Sequence, residues 1–544
     1  MSVVNILLII FGSCLILYYW YLKISRKRLV QLIEKLPGPN GWPLIGNALE
    51  FAGTPSQIFK KLYSFCCQYD RVIRVWICSR PYVILTDPRD AEIILNSNIH
   101  IEKADEYKLF KPWLGNGLLI SKGHNWKTHR KLIAPTFHLN ILKSFIPLFN
   151  ANSRATVEKL RKENENTFDC HDYMSEATVE MLLETVMGIS KKSHSENAYE
   201  YAMAVMKMCE IIHLRQFKFW LKPNWIFNLT KYKKLQKDLL NVIHTLTRKV
   251  VKNKMEEFQK GVRTSIPCIH NETSNNEEAE TDKKPVIGDV SFGQPVGIKD
   301  DLDVDDNDVG EKKRLAFLDL MIEVSQNGLL LNNEEIKEEV DTIIFEGHDT
   351  TAAASSFFLC LMAAHPKIQE SVHQEIDAIF GNSDREATFA DTLKMKYLER
   401  CLLETLRLYP PVPMIARKLN QDVKLASKDY VLPAGCTVLI ATFKIHRRGD
   451  IYANPDTFDP ENFDSDRTVN RHYYSFIPFS AGPRSCVGRK YAMLKLKILL
   501  STIMRNFVVK SHKKESDFEL QGDIILKRAD GFSIKLEPRH LLFI

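Results

Sequence analysis

The chain has 544 residues, 45% of them hydrophobic and 26% charged, with a formal net charge of +7. That length calls for one large composite body or two intimate domains. The modest positive balance, with no basic motif beside it, gives no nucleic-acid partner.

Residues 3–22, "VVNILLIIFGSCLILYYWYL", carry no charge, and Lys23, Arg26, Lys27 and Arg28 follow at once. Twenty apolar residues suffice to span a bilayer, and the basic flank predicts that this end stays cytoplasmic. No basic region precedes the run and no A-x-A-like site follows it, so a retained transmembrane helix over 1–22 is expected rather than a removed signal. The eleven cysteines are scattered and form no CxxC, which argues against a disulfide framework or a structural zinc site. Residues 23–47 read as a basic stop and then a Pro/Gly hinge, "LPGPNGWPLIGN". "RVIRVWICSRPYVILTD" (71–87) reads as a hairpin broken at Arg80-Pro81. Helical periodicity dominates from about 125 to 262.

Within that part, "RQFKFWLKPNWIFNLTKYKKL" (215–235) interleaves Trp220 and Trp225 with lysines and Arg215, a pattern suited to a membrane headgroup layer. Residues 264–312 break the composition. Between Glu272 and Glu311 there are thirteen acidic and three basic residues, with Phe292 the lone aromatic. This predicts a disordered, solvated insertion. A long helix is then expected from Asn333 to Ala364, capped by Asn332 with Glu335 three residues on, and stopped before Pro366. After residue 410, "VKLASKDYVLPAGCTVLIAT" reads as two or three strands. The fold is thus mainly α with a minor β portion.

Four stretches carry chemistry. The long helix holds "EGHDTT" (346–351), and polar side chains in a buried helix are costly unless paired or functional. Gly347 lets a neighbour approach the backbone, Thr350 can bond a carbonyl one turn back, and Asp349 beside it is placed to pass protons inward. "CLLETLRLYPPVP" sets Glu404 and Arg407 one turn apart among leucines, which favours a buried structural pair. "WKTHRK" puts Trp126 and Arg130 on one helix face, a pair able to hold an anionic group. Last, "PFSAGPRSCVGRKYAML" (478–494) places Cys486 at a helix start expected near Val487, between Gly482 and Gly488 and beside Arg484 and Phe479. A helix N-terminus lowers a thiol pKa, so the stretch reads as a thiolate site. No histidine lies near to act as a base, so a metal partner fits better than a free nucleophile.

Together these pieces resemble the cytochrome P450 superfamily, the haem-thiolate monooxygenases. Phe479, Gly482, Arg484, Cys486 and Gly488 meet F-x-x-G-x-R-x-C-x-G in full. Gly347, Asp349, Thr350 and Thr351 meet the oxygen-site helix pattern, Glu404 and Arg407 the E-x-x-R, and Trp126 and Arg130 the W-x-x-x-R. Two departures stand out. The usual P-E-R-F is Pro460-Glu461-Asn462-Phe463, so Asn462 must close the Glu404–Arg407 network with amide bonds. Glu346 replaces a small residue, as in family four, whose members often ester-link this carboxylate to a haem methyl. Longer stretches resemble the insect G subfamily of family four, known as oxidative decarbonylases of long-chain aldehydes that make cuticular hydrocarbons.

The resemblance implies haem (iron protoporphyrin IX) on Cys486, propionates held by Trp126, Arg130, Arg417 and Arg484, and protons guided by Asp349 and Thr350. It implies electrons from NADPH through a separate cytochrome P450 reductase. Lys127, Lys131, Arg489, Lys490 and Lys495 cluster by sequence around these elements and are expected to form a basic docking face for an acidic reductase. It implies an endoplasmic reticulum membrane site, a cytoplasmic catalytic domain over 48–544, and a long-chain apolar substrate entering from the lipid bilayer. Terminal hydroxylation of fatty acids or foreign compounds is the alternative among enzymes. A membrane haem carrier or sensor is the alternative outside them, and it has no need of Asp349 and Thr350.

Overall fold

In the computed structural model, residues 3–189, 198–261, 290–295, 297–298, 315–326 and 331–539 are described. The principal helices are α1 (Val3–Ser25), α2 (Gly123–Ile133), α3 (Ile146–Arg161), α4 (Cys170–Thr185), α5 (Ala198–Phe217), α6 (Lys231–Gln259), α7 (Asn333–Ala364), α8 (Lys396–Leu408) and α9 (Arg489–Asn506). Helix α7 is the spine. It begins and ends where its signals put it, with Asn332 accepting from the Glu334 and Glu335 amides and the Glu335 side chain accepting from the Asn332 amide. It packs against α4, α5, α6, α8 and α9, and most of its length is buried because apolar and small residues surround it on every side.

The β portion stands to one side. Strands β1 (Val72–Ile77), β2 (Arg80–Leu85), β3 (Ile415–Lys418) and β4 (Thr437–Ile440) form a sheet in the order β1-β2-β4-β3. Strands β2 and β4 are parallel, Tyr82 opposite Thr437, and the other pairs are antiparallel. The expected first hairpin is present, but its turn falls at Cys78-Ser79, where Cys78 takes φ 52°, and Pro81 lies inside β2. A second hairpin, β5 (Leu520–Gly522) and β6 (Leu526–Arg528), returns from the carboxyl-terminal end to the cavity described below.

Residues 36–47, the Pro/Gly hinge, are tied to β1. Arg74 of β1 donates from Nε to the Leu36 carbonyl and from its amide to the Pro37 carbonyl. Ahead of them Lys27–Glu34 is a short helix whose Ile33 is buried. Among the described residues no helix is long and apolar enough to cross a membrane. The span expected over residues 1–22 is therefore not established here, although Val3–Ser25 is helical and exposes Leu7, Leu17 and Ile24. Most of the acidic insertion lies outside the described residues. Its Val290–Ser291 and Gln294–Pro295 pair as a small hairpin, with Ser291 O accepting from Arg489 Nη1 at 2.9 Å.

Candidate active site

A cavity of about 400 Å³ lies where α7, α9, the residues before it and the strand regions converge. Its walls are largely apolar, with Phe59, Phe110, Phe137, Ile343, Ala354 and Val412 among them. One end is built from the residues singled out in the sequence. Trp126, Arg130, Glu346, Gly347, Thr350, Phe479, Arg484, Cys486 and Gly488 all line it.

The cysteine loop is held by its backbone. Cys486 N donates to Phe479 O at 2.9 Å. Gly482 has φ +70°, and a Cβ there would stand 2.1 Å from the Leu95 carbonyl oxygen, so only glycine fits. Helix α9 begins at Arg489 with Gly488 as its cap, two residues later than the sequence signal. Cys486 is exposed into the cavity. Burial nonetheless pushes its thiol up to about 11, and Glu346 adds to the rise; the Gly488 N–H, Arg130 and Arg489 oppose it. The helix start alone does not favour a thiolate here, contrary to the expectation, because loss of water outweighs the local dipoles. A cation bound at the sulfur would reverse that balance.

Four basic side chains gather at this end of the cavity. Arg130 Nη1 donates to Ser485 O at 2.8 Å. Arg484 donates to the carbonyls of Ile101 and Leu118, and its guanidinium lies 4.4 Å from the Trp126 ring. Arg417 is buried on β3, just outside the cavity lining, with its Nη2 unpartnered. The fourth, Lys103, carried no signal in the sequence beyond a lysine in a polar stretch. Burial, then Arg417 and Arg484, hold Lys103 well below its usual value. Burial and Arg417 lower Arg484 to about 9. Facing them is the Glu346 carboxyl, which burial lifts and Lys103 pulls back. Four crowded cations and one carboxyl need more negative charge than the chain supplies. The two propionates of a haem whose iron binds Cys486 match that deficit.

Two scaffolds hold this end in place. His129 Nδ1 meets Glu339 Oε1 at 2.6 Å, fastening α2 to α7 and so setting Trp126 and Arg130. Glu404 takes both forks of Arg407 at 2.7 Å, and Arg407 donates further to the carbonyls of His446, Pro455 and Thr457. Asn462 Nδ2 donates to Glu404 Oε1 at 3.0 Å, closing the network through an amide as expected.

Helix α7 sorts its polar residues by phase. Glu346, Gly347, Thr350 and Thr351 face the cavity. Thr350 Oγ1 donates to Glu346 O at 2.7 Å, one turn back, and Leu182 of α4 is the close neighbour that Gly347 admits. Asp349 does not join them. It is fully buried on another face, 3.0 Å from Lys527 of β6, and does not line the cavity. Nor is the basic docking face formed as expected. Lys127 and Lys131 are exposed, but Arg489, Lys490 and Lys495 are buried. Lys495 and Lys527 are functional candidates the sequence reading misplaced or missed, since charge in an otherwise apolar helix or a short strand does not reveal its partner.

A mainly helical body that presents one cysteine sulfur to an apolar cavity, among buried cations placed for two carboxylates, is the architecture of a haem-thiolate oxygenase. The cytochrome P450 family model matches residues 36–536, and the chain belongs to that family. It is 55% identical to "Cytochrome P450 4g15" of Drosophila melanogaster over 96% of each chain, and 49% identical to "Cytochrome P450 4g1" of the same species over 96% of this chain and 92% of that one. It is 34% identical to human "Cytochrome P450 4V2", over 97% of this chain and 94% of that one. These relatives place it in family four. It is an oxidoreductase that uses haem and takes electrons from NADPH through a reductase.

Proposed function

We propose that the chain is a membrane-held oxidative decarbonylase that converts long-chain aldehydes to hydrocarbons one carbon shorter. The observation that carries the reading is the course of the cavity: apolar walls run from Cys486 to a region bordered by Phe51, Phe217, Tyr82 and Lys222, beside an exposed apolar patch. The Phe51 and Phe217 rings meet at 52° with centroids 5.9 Å apart, which brings the residue 42–51 stretch against the end of α5. Trp42, Leu44 and Leu49 are exposed on the first, and Trp220, Trp225 and Leu229 on the segment after the second, with Leu229 82% exposed. Such a surface suits the interface of a bilayer. An extended alkyl chain could pass from lipid into the cavity without crossing water. The likeness to the insect G subfamily supplies the reaction type.

Under this reading α1, helical over Val3–Ser25 with Leu7, Leu17 and Ile24 exposed, helps hold the protein at the endoplasmic reticulum membrane. The haem, when bound to Cys486, supplies oxygen activation, with thiolate donation favouring O–O cleavage. Lys103, Arg130, Arg417 and Arg484 would hold its propionates, and the apolar walls, Phe479 among them, would orient the chain and exclude water. Glu346 lies on the cavity wall on the side of α7, and under this reading it would be the residue that forms an ester to a haem methyl. Acid extraction that leaves haem on the wild-type chain and frees it from Glu346→Ala supports the ester; complete release from both sinks it.

The deciding assay supplies reductase, NADPH and a long-chain aldehyde, and weighs the products. One aldehyde and one dioxygen, with two electrons and two protons, should give a hydrocarbon, carbon dioxide and water. Hydroxylated product alone would move the chain to terminal hydroxylation. No turnover of any lipid would return it to a haem carrier or sensor.

A further inference from the structure

Asp349, the acid expected to feed the cavity, lies buried outside its lining and paired with Lys527. Burial raises its carboxyl, but Lys527, His348 and His171 together bring it below its usual value, so it stands ionised beside Lys527. The group that does touch the cavity helix from behind is Lys495 of α9, which is 0% exposed. Its Nζ donates to Gly347 O at 2.9 Å and to Thr351 Oγ1 at 2.9 Å. Thr351 lines the cavity next to Thr350.

Among the described residues Lys495 makes no ion pair with a carboxylate. Tyr491 on its own helix lies 5.1 Å from Nζ, and the Tyr491 hydroxyl is 2.9 Å from Thr185 Oγ1 of α4. From α7 the titratable group facing it is His348, which burial holds at about 4 and therefore neutral near pH 7. Burial alone brings the Lys495 amine down to about 7. A buried amine without a counter-ion costs stability, and an apolar side chain would fill the space at less expense. Two hydrogen bonds to the oxygen-site stretch of α7 give the lysine a reason to be there.

We propose that Lys495 positions the Gly347–Thr351 turn and stores the proton that Thr351 hands to the cavity. The Lys495 ammonium gives an N–H proton to Thr351 Oγ1 while the Thr351 hydroxyl turns and releases its own proton to water or oxygen in the cavity. One N–H bond breaks, one O–H bond forms at Thr351 and one O–H bond breaks there. No electron moves. The neutral amine recovers its proton from cavity water by the same path between turnovers. The inference rests on the family's oxygen chemistry and is independent of which substrate is oxidised.

The test uses the full chain with haem, reductase and any accepted substrate, between about pH 6 and 9. In the wild type, the share of electrons found in product rather than hydrogen peroxide should fall as pH rises through about 7, where the store empties. Lys495→Met should lower that share about fivefold or more at the acid end and remove the pH step. Lys495→Arg keeps a permanent charge and donors, and should show no step. Thr351→Val keeps the lysine but cuts the link, and should match Lys495→Met. It carries the test should Lys495→Met give no sulfur-bound carbon monoxide band.

Thermal unfolding reads the titration without turnover. The unfolded lysine keeps its proton to about 10.5 and the folded one releases it near 7. Between those values the unfolded state binds more protons, so the wild type should gain stability relative to Lys495→Met as pH rises. A wild-type pH step retained in Lys495→Met or Thr351→Val, or an unfolding difference flat across that window, would overturn the proposal.

Discussion

Cys486→Ser changes a sulfur to an oxygen and leaves the loop intact, because the loop is tied by the Cys486 amide to Phe479 O and by the Gly482 turn. The expected outcome is a folded chain that lacks the red-shifted carbon monoxide band of sulfur-bound haem. Its turnover should fall by more than about 100-fold, the upper range for losing groups that merely support a ligand. Asn462→Ala is a finer cut. Glu404 keeps Arg407 and the Asp459 amide but loses one partner, so about 1–2 kcal/mol should be lost in thermal unfolding. Arg407→Met leaves the same carboxylate buried without its cation and should cost about 3–5 kcal/mol. Equal losses in the two variants would mean that the network is not centred on Glu404. At this scale Cys486, the Glu404–Arg407 pair and the amide closure were legible, since each follows from residue type and short spacing. Lys103 was not, because its cationic neighbours come from β3 and the cysteine loop, distant in the chain.

Helix α7 shows how far local signals reach. Its cap, its length and its stop are written in adjacent residues, and the structure keeps all three boundaries. Its phase is set elsewhere, by α4, α5 and α9 packing around it. That packing turns Asp349 away from the cavity and toward Lys527, joining α7 to the β5–β6 hairpin whose residues Gly522 to Ile525 line the cavity. Lys527→Met should therefore cost about 3–5 kcal/mol near neutral pH, leaving a buried carboxylate unpaired. The sign with pH follows from the shifts. Asp349 lies below its ordinary 3.8, so its share is present above that value and is lost as pH falls through the lower folded one. Lys527 lies above its ordinary 10.5, so its share is present below that value and is lost as pH rises through the higher folded one. The unfolding difference between wild type and Lys527→Met should be largest across the neutral range and shrink toward acid. A difference that grows toward acid would contradict the ion pair.

The whole molecule joins a helical body, a small sheet and an amino-terminal helix that runs apolar residues into the surroundings. Deleting residues 1–25 should weaken binding to lipid vesicles without abolishing it, because Trp220, Trp225 and Leu229 remain exposed. Flotation of the two forms measures this. Loss of all binding would remove the interfacial role of the 215–235 segment, and unchanged binding would remove the anchor.

The sequence by itself determined the family, the cysteine loop, the boundaries of the long helix and the mainly helical class, because each rests on residues adjacent in the chain or one turn apart. Only the tertiary structure decided which face each buried charge takes. It put Asp349 outside the cavity, Lys495 behind it, Lys103 among the arginines and residues 36–47 against β1. Those outcomes depend on what lies opposite each side chain after packing. A buried charge settles wherever a distant partner compensates its lost hydration, and spacing along the chain does not encode that partner.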